Sequence, residues 1–209
     1  MIPKGFRFAG LHCGIKSNPE KYDLSLIVSE VPATAVGVYT QNLVCAAPVQ
    51  LDRSRTPGEG IRGVVVNSGC ANACTGDRGL EDAKSMSRKF GEACGFDGDA
   101  ALVMSTGVIG EFLPLSVIEK GIEAAASQLA DTEDAMIDAA TGMMTTDTVY
   151  KIAQCSINIE GREIVVAGMA KGAAMIGPNM ATMLGLVLTD AAIRPEDAVS
   201  MLRESADAT

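Results

Sequence analysis

The sequence predicts a mixed α/β protein, and three observations carry that reading. Short runs of branched and small apolar residues recur from Phe6 onward, most plainly at residues 61–66, and such runs read as strands. Elsewhere apolar residues fall three and four apart, as at Leu80, Ala83, Met86 and Phe90, the spacing of one helix face. The chain also holds 22 glycines, 11 methionines and no tryptophan. Small residues let backbone layers approach closely, so tightly packed sheets are expected rather than a loose helical bundle. At 209 residues the chain can bury a substantial core as one large domain or two small ones.

Taken in order, residues 6–49 read as short strands, chiefly 22–28 and 34–40, with a loop at 17–20. The polar stretch 53–60 reads as an exposed loop. Its Gly58-Glu59-Gly60 lacks the preceding strand and third glycine of a dinucleotide fingerprint. Residues 61–66 form a buried strand that feeds a loop of small residues and amides at 67–73, where Asn67 and Asn72 either close turns or stand near a site. A helix over 80–94 ends at Gly95. The strand 101–104 runs into Ser105-Thr106-Gly107-Val108-Ile109-Gly110.

Two further helices are expected at 115–129 and 132–143, the second opening with acidic residues suited to a helix N-terminus. Met136, Met143 and Met144 read as core. The segment 145–151 sets hydroxyls beside a carboxylate, which either holds a polar substrate or begins a strand. Residues 151–160 and 163–170 read as a hairpin turned at Gly161-Arg162, 183–188 as a buried strand, and Pro195 as the start of a last helix. There is no internal repeat, low-complexity tract or heptad pattern.

Composition excludes several functions. A net charge of −9 argues against nucleic acid, which demands clustered Lys and Arg. No apolar run approaches the roughly 18 residues of a membrane span, and residues 1–5 lack a secretion signal's apolar core. A cytoplasmic protein without a membrane partner is expected. The cysteines at 13, 45, 70, 74, 94 and 155 are scattered among apolar neighbours and read as small buried hydrophobes. With His12, Cys70 and Cys74 fit no strong zinc spacing, so no metal is expected, and no disulfide framework. His12 and Lys16 are candidates for catalysis by residue type, against the plainer readings of a packed histidine and a solvated lysine.

The chemistry concentrates in residues 170–184. A threonine hydroxyl is a poor nucleophile unless a base lies beside it. For Thr182 the nearest base is its own α-amine, freed if the bond to Ala181 is cut, and Ala181 is small enough not to hinder that attack. Most threonines only pack or cap, and the residues alone leave that reading open. At Thr106-Gly107 a hydroxyl beside a glycine on a strand-end loop meets the demand of an oxyanion hole, fixed donors aimed at developing charge. A plain loop is the alternative.

The motif Lys171-Gly172, Met175-Ile176, Pro178-Asn179-Met180-Ala181-Thr182-Met183-Leu184, followed by Thr189-Asp190-Ala191, resembles the self-cleavage signature of the ornithine acetyltransferase (glutamate N-acetyltransferase) family. The likeness runs through Gly5-Phe6-Arg7, Asp23-Leu24, Pro32-Ala33-Thr34-Ala35, Val66-Asn67-Ser68-Gly69, Ala71 to Gly76, Ser105 to Gly110 and Thr145-Thr146-Asp147-Thr148, essentially the whole chain.

The resemblance implies stacked sheets with helices on the outer faces, related to self-processing aminopeptidases. It implies self-cleavage between Ala181 and Thr182, making 1–181 an α-chain-like region and 182–209 the start of a β-chain-like region. Proteins of this kind continue for about one more domain length. Thr182 would be the nucleophile, Thr106 and Gly107 the oxyanion hole, and Thr145 and Lys171 would hold substrate together with Thr182. The implied reaction moves an acetyl group from N-acetylornithine to glutamate through an acetyl-threonine, in arginine biosynthesis, with a second chain in an α2β2 assembly. No cofactor is needed for that transfer, and acetyl-coenzyme A stays open as a donor. Three positions depart from the family pattern: Cys70 replaces an asparagine, Tyr150 a proline, and Gly172-Ala173-Ala174 a Gly-Ser-Gly. Two rival readings remain, a self-processing amidohydrolase that passes the acyl group to water and a non-catalytic half that docks a second chain.

Overall fold

The structure is a computed structural model and describes residues 1–175 and 183–208. Its first sheet contains β1 (Phe6–Leu11), β2 (Leu24–Ala35), β3 (Gly58–Cys70) and β4 (Ala101–Val108), in that order. β1–β2 and β2–β3 are antiparallel, whereas β3 and β4 run parallel. A parallel pair needs a long crossover, and α2 (Gly76–Cys94) supplies it. The second sheet is an antiparallel meander of β5 (Lys151–Ile159), β6 (Arg162–Lys171) and β7 (Leu184–Thr189). The other helices are α1 (Ala47–Arg55), α3 (Leu115–Ala126), α4 (Glu133–Gly142) and α5 (Pro195–Asp207).

Strand alternation builds two cores, one on each face of the first sheet. Leu26, Val28, Val65 and Val103 point one way and pack with Met86 and Phe90 of α2 and Ile118 and Ile122 of α3. Ile27, Val64, Val66 and Leu102 point the other way, onto Met136 and Met143 and onto Ala167, Met169 and Leu188 of the second sheet. Burial on both faces explains why Val64-Val65-Val66 reads as an unbroken apolar run. Each fully buried side chain of this size stabilises the fold by about 1.5–3 kcal/mol.

The sheets are therefore stacked, with α1, α2 and α3 outside the first. α4 is the exception, because it shares the inner face with the second sheet. Gly10 permits this: a Cβ there would lie 2.0 Å from the Asp138 carbonyl oxygen. α4 starts where Thr132 accepts a hydrogen bond from the Ala135 amide at 3.2 Å, with Glu133 and Asp134 in its first turn. α2 ends as expected at Gly95, which adopts φ 77°.

Several expected boundaries move. Residues 36–40 are not a strand, since β2 stops at Ala35 opposite Gly58, where β3 begins, and nothing beyond offers an edge to pair with. α1 was not foreseen, and residues 53–55, expected in a loop, close it. It buries only Ala47, Pro48, Leu51 and Asp52, so it has no apolar stripe, and Pro48 in its first turn is its main sequence signal. Its carboxylate and guanidinium fasten it to β4: Asp52 accepts from the Val103 amide at 3.0 Å and Arg55 donates to the Ala101 carbonyl at 2.5 Å. Burial pushes the Asp52 carboxyl up to about 7.

β3 and β4 both outlast their apolar runs. Residues 67–70 and 105–108 stay in the sheet because Asn67, Ser68 and Gly69 pair with Ser105, Thr106 and Gly107. The cysteines are less buried than expected. Only Cys70 is buried, and Cys74 and Cys155 are exposed.

Candidate active site

Alternation along β6 places the central charge. Val165, Ala167, Met169 and Lys171 all turn inward toward the first sheet, so the strand's last inward position carries an ammonium instead of a methyl group. On β4 the same rule sends Thr106 to the same interior as Leu102. The two meet: Lys171 Nζ donates to Thr106 Oγ1 at 2.8 Å, with Lys171 only 5% and Thr106 8% exposed. Burial lowers the lysine's proton affinity below its usual value. Asp147 partly offsets this and Lys151 adds to it. Because the ammonium occupies a lone pair of the Thr106 oxygen, the hydroxyl's own proton stays available to donate, and the charged partner strengthens that donation.

Gly107, the next residue, has φ 136°, and a Cβ there would lie 2.2 Å from the Gly69 carbonyl carbon. Only glycine lets the ends of β3 and β4 come this close. The conformation carries the backbone past Thr106 into the cleft that Lys16, Thr145, Lys171 and Gly172 also line.

Asp147 ties two of the predicted residues together. Its Oδ1 accepts from the Gly172 amide at 2.8 Å and from Lys151 Nζ at 2.5 Å, and its Oδ2 from the Thr145 amide at 3.3 Å. Burial opposes ionisation of this carboxyl, but Lys151 and the two amides outweigh it and pull the value down to about 2. A carboxylate depressed in the folded state stabilises the fold above its unfolded value of 3.8, and the contribution is lost as pH falls through about 2. Asp147→Asn is thus expected to lower stability by about 1–3 kcal/mol at neutral pH, the scale of a lost charge-assisted hydrogen bond. Denaturant melts of both proteins should show the gap closing below pH 3.8. A gap that stays constant down to the acid limit would exclude an ionic contribution.

The structure thus joins Thr106, Lys171 and Thr145 into one constellation beside Gly107. Ala181 and Thr182, the expected cleavage pair and nucleophile, lie outside the described residues. Asn67 and Asn72 bond to main chain: Asn67 Nδ2 donates to the Cys70 carbonyl at the end of β3, and Asn72 Nδ2 to the Gly79 carbonyl of α2, each at 2.8 Å. Cys70, standing where an asparagine was expected, points its thiol at the Glu111 carbonyl, 3.4 Å away, among the helix-side core. Tyr150 and Ala174 are both exposed.

Two readings of single residues are corrected. Lys16 is not solvated: its Nζ donates to the Tyr22 carbonyl at 2.5 Å and the Met144 carbonyl at 2.7 Å. His12 is no packed core histidine, because Nδ1 lies 3.0 Å from the Lys21 carbonyl and 3.2 Å from Asp23 Oδ2. Asp23 is itself a fully buried carboxylate that accepts from the amides of Cys13, Gly14, Ile15 and Lys16 at 2.6–3.2 Å. Asp147 could have been found as the one acid within a run of hydroxyls. Lys16, between Ile15 and Ser17, stood out only as a cation, with no motif to indicate its main-chain partners.

A model of the ArgJ family matches residues 7–209. The chain belongs to the ArgJ family. Among curated ArgJ proteins, the arginine biosynthesis bifunctional protein of Rhodopirellula baltica is 47% identical over all of this chain, which covers 51% of that protein. The mitochondrial ArgJ of Aspergillus oryzae is 48% identical over 97% of this chain and 46% of its own length. The chain therefore spans about half the length of the curated ArgJ proteins it matches. Two ArgJ-type crystal structures share the fold. That of the Bacillus halodurans protein has TM-score 0.78 and 40% identity, covering 87% of this chain and 92% of the crystallised one. The Mycobacterium tuberculosis ornithine acetyltransferase, complexed with ornithine, has TM-score 0.74 and 33% identity, covering 87% and 94%.

Proposed function

We propose that this chain forms the N-terminal part of an acetyltransferase of arginine biosynthesis, moving an acetyl group from N-acetylornithine to glutamate. The observation that carries the proposal is the buried contact between Lys171 Nζ and Thr106 Oγ1. It brings a substrate-binding cation onto a hydroxyl poised to stabilise an oxyanion, at the end of the strand from which the chain leads to Thr182. The relative crystallised with ornithine supports the substrate class.

In this mechanism the Thr182 hydroxyl first attacks the Ala181 carbonyl, the peptide bond gives way to an ester, and water opens it. The new α-amine at Thr182 has an unperturbed pKa of about 7.7–8.0 and serves as base near neutral pH. The hydroxyl then attacks the acetyl carbonyl of N-acetylornithine. Thr106 and Gly107 hold the tetrahedral oxyanion, ornithine leaves, and glutamate takes the acetyl group from the acetyl-threonine. Lys171 and Thr145 orient the amino-acid substrate. No cofactor takes part, and acetyl-coenzyme A is a candidate second donor.

Length supports the cleavage step. The chain covers nearly all of each crystallised relative but about half of each curated sequence. A cut within the motif would account for that difference, dividing residues 1–181 from a second chain that begins at Thr182 and joins it as α2β2. Cytoplasmic residence belongs to the same proposal, and cell fractionation checks it, since the Aspergillus relative is named mitochondrial.

The test is the intact mass of the protein made from its complete reading frame, followed by an assay for acetyl transfer from N-acetylornithine to glutamate. Two chains meeting at Ala181–Thr182 and formation of N-acetylglutamate are expected. Release of free acetate in place of N-acetylglutamate would make the protein an amidohydrolase. An uncut, inactive protein would leave it a docking half.

A further inference from the structure

We propose that Lys16 is a positioning residue of this site, anchoring the turn at 144–147 and through it the Lys171–Thr106 pair. The proposal rests on the acetyltransferase reading for its kinetic consequence, and on geometry alone for the anchoring.

A continuous line of hydrogen bonds runs from Lys16 to the oxyanion residue. Lys16 Nζ holds the Met144 carbonyl at 2.7 Å and the Tyr22 carbonyl at 2.5 Å. The next residue, Thr145, gives its amide to Asp147 Oδ2, and Asp147 Oδ1 takes the Gly172 amide at 2.8 Å. Gly172 follows Lys171, whose Nζ reaches Thr106 Oγ1. The anchor itself is stiff. The backbone that presents Lys16 wraps the buried Asp23 carboxylate, which takes amides from Cys13 through Lys16. Asp23 immediately precedes β2 and is tied to the sheet, because the Asp23 carbonyl accepts from the Ser68 amide and its own amide donates to the Leu11 carbonyl. The Lys16 ammonium thus ties the turn that carries Thr145 to the first sheet, just beyond the point where the Ser68 hydroxyl holds the Gly142 carbonyl.

The charges around that ammonium are few. Asp23 and Lys21 face it from its own loop, Lys171 from the end of β6 and Asp147 from the turn. Burial brings Lys16 down to about 8. Asp23 and Asp147 oppose that fall and the two lysines add to it. The anchoring cation therefore loses its charge within the range where an N-terminal threonine base becomes active, so the basic limb of the pH profile carries its signature. Lys171 also titrates low, and an arginine at position 16 separates the two, because a guanidinium keeps its charge.

The experiment uses the protein from its complete reading frame, as wild type, Lys16→Met and Lys16→Arg. Hydrogen exchange comes first. Lys16→Met is expected to speed exchange about 10-fold or more at the Thr145 and Gly172 amides, with β3 unchanged. Kinetics come second. KM for N-acetylornithine is expected to rise and kcat/KM to fall by about 10- to 100-fold, the scale of a misplaced site, while Lys16→Arg recovers most of it and shifts the basic limb upward. Unchanged exchange at those amides overturns the anchor whatever the activity. Faster exchange with unchanged kinetics overturns the positioning role. A wild type that transfers no acetyl group defeats the functional reading, and exchange still decides the anchor.

Discussion

Thr182→Ala is expected to leave the polypeptide in one piece and to abolish acetyl transfer together. In the proposed mechanism the same oxygen would be used twice, once to break the Ala181–Thr182 bond and once to receive the acetyl group, and alanine has none. Removing a covalent nucleophile costs on the order of 10⁴-fold or more in turnover, and here the base is lost as well, since without cleavage no α-amine is exposed. Thr182→Ser keeps the oxygen and is expected to cut more slowly and retain part of the activity. Mass spectrometry and the N-acetylglutamate assay read both steps on one sample. A Thr182→Ala protein that is still cut at this bond would show that another group performs the scission.

The second large effect is expected from Gly107→Ala. The added Cβ would meet the Gly69 carbonyl carbon at 2.2 Å, its oxygen at 2.5 Å and the Cys70 amide nitrogen at 2.6 Å. All three are backbone atoms, and they have little room to yield. The Cys70 carbonyl is held by Asn67 Nδ2, the Ser68 hydroxyl by the Gly142 carbonyl, and the Ala71 amide by the Val108 carbonyl. A φ of 136° adds conformational strain to the clash. Together these are expected to cost about 2–5 kcal/mol, lowering the melting temperature by roughly 5–15 °C in a chain of this size. If Thr106 and Gly107 hold the oxyanion as proposed, activity should fall further than stability, by about 10²- to 10³-fold, because Thr106 moves with its neighbour and a fixed donor is lost. A melting temperature within a degree or two of wild type would mean that the ends of β3 and β4 can separate, and that the close approach is not what fixes the donor.

The sequence displayed the parts of the fold that are dictated by apolar spacing. α2, with its four-residue rhythm and terminal glycine, is where it was expected, as are the β5–β6 hairpin and the core strand of β3. Elements held by polar atoms were hidden. α1 is fastened through Asp52 and Arg55, so it shows no stripe, and the polar ends of β3 and β4 resemble loops until their pairing is seen. The site divides the same way. The resemblance carried Thr106, Lys171 and Thr145; the meeting of the first two follows from strand alternation, whereas Thr145 joins them through Asp147. Asp147 was in view as chemistry but not as the bridge from Thr145 to Gly172. Lys16 stood out by its charge, but its anchoring contacts did not, because its partners are main-chain carbonyls, which every residue possesses and no side-chain pattern advertises.

The inward row of Val165, Ala167, Met169 and Lys171 also sets which changes of length the protein can accept. The hairpin turn at 160–161 lies at the far end of β6, and residues gained or lost there leave the parity of the row untouched. One residue added between Met169 and Lys171 reverses it, turning the ammonium to the outer face and bringing a neighbour into the interior in its place. Substitutions can adjust this site gradually, whereas a single-residue insertion in the last turn of the strand removes its charge in one step. Variation in length is therefore confined to one end of β6, and the chemistry is kept at the other.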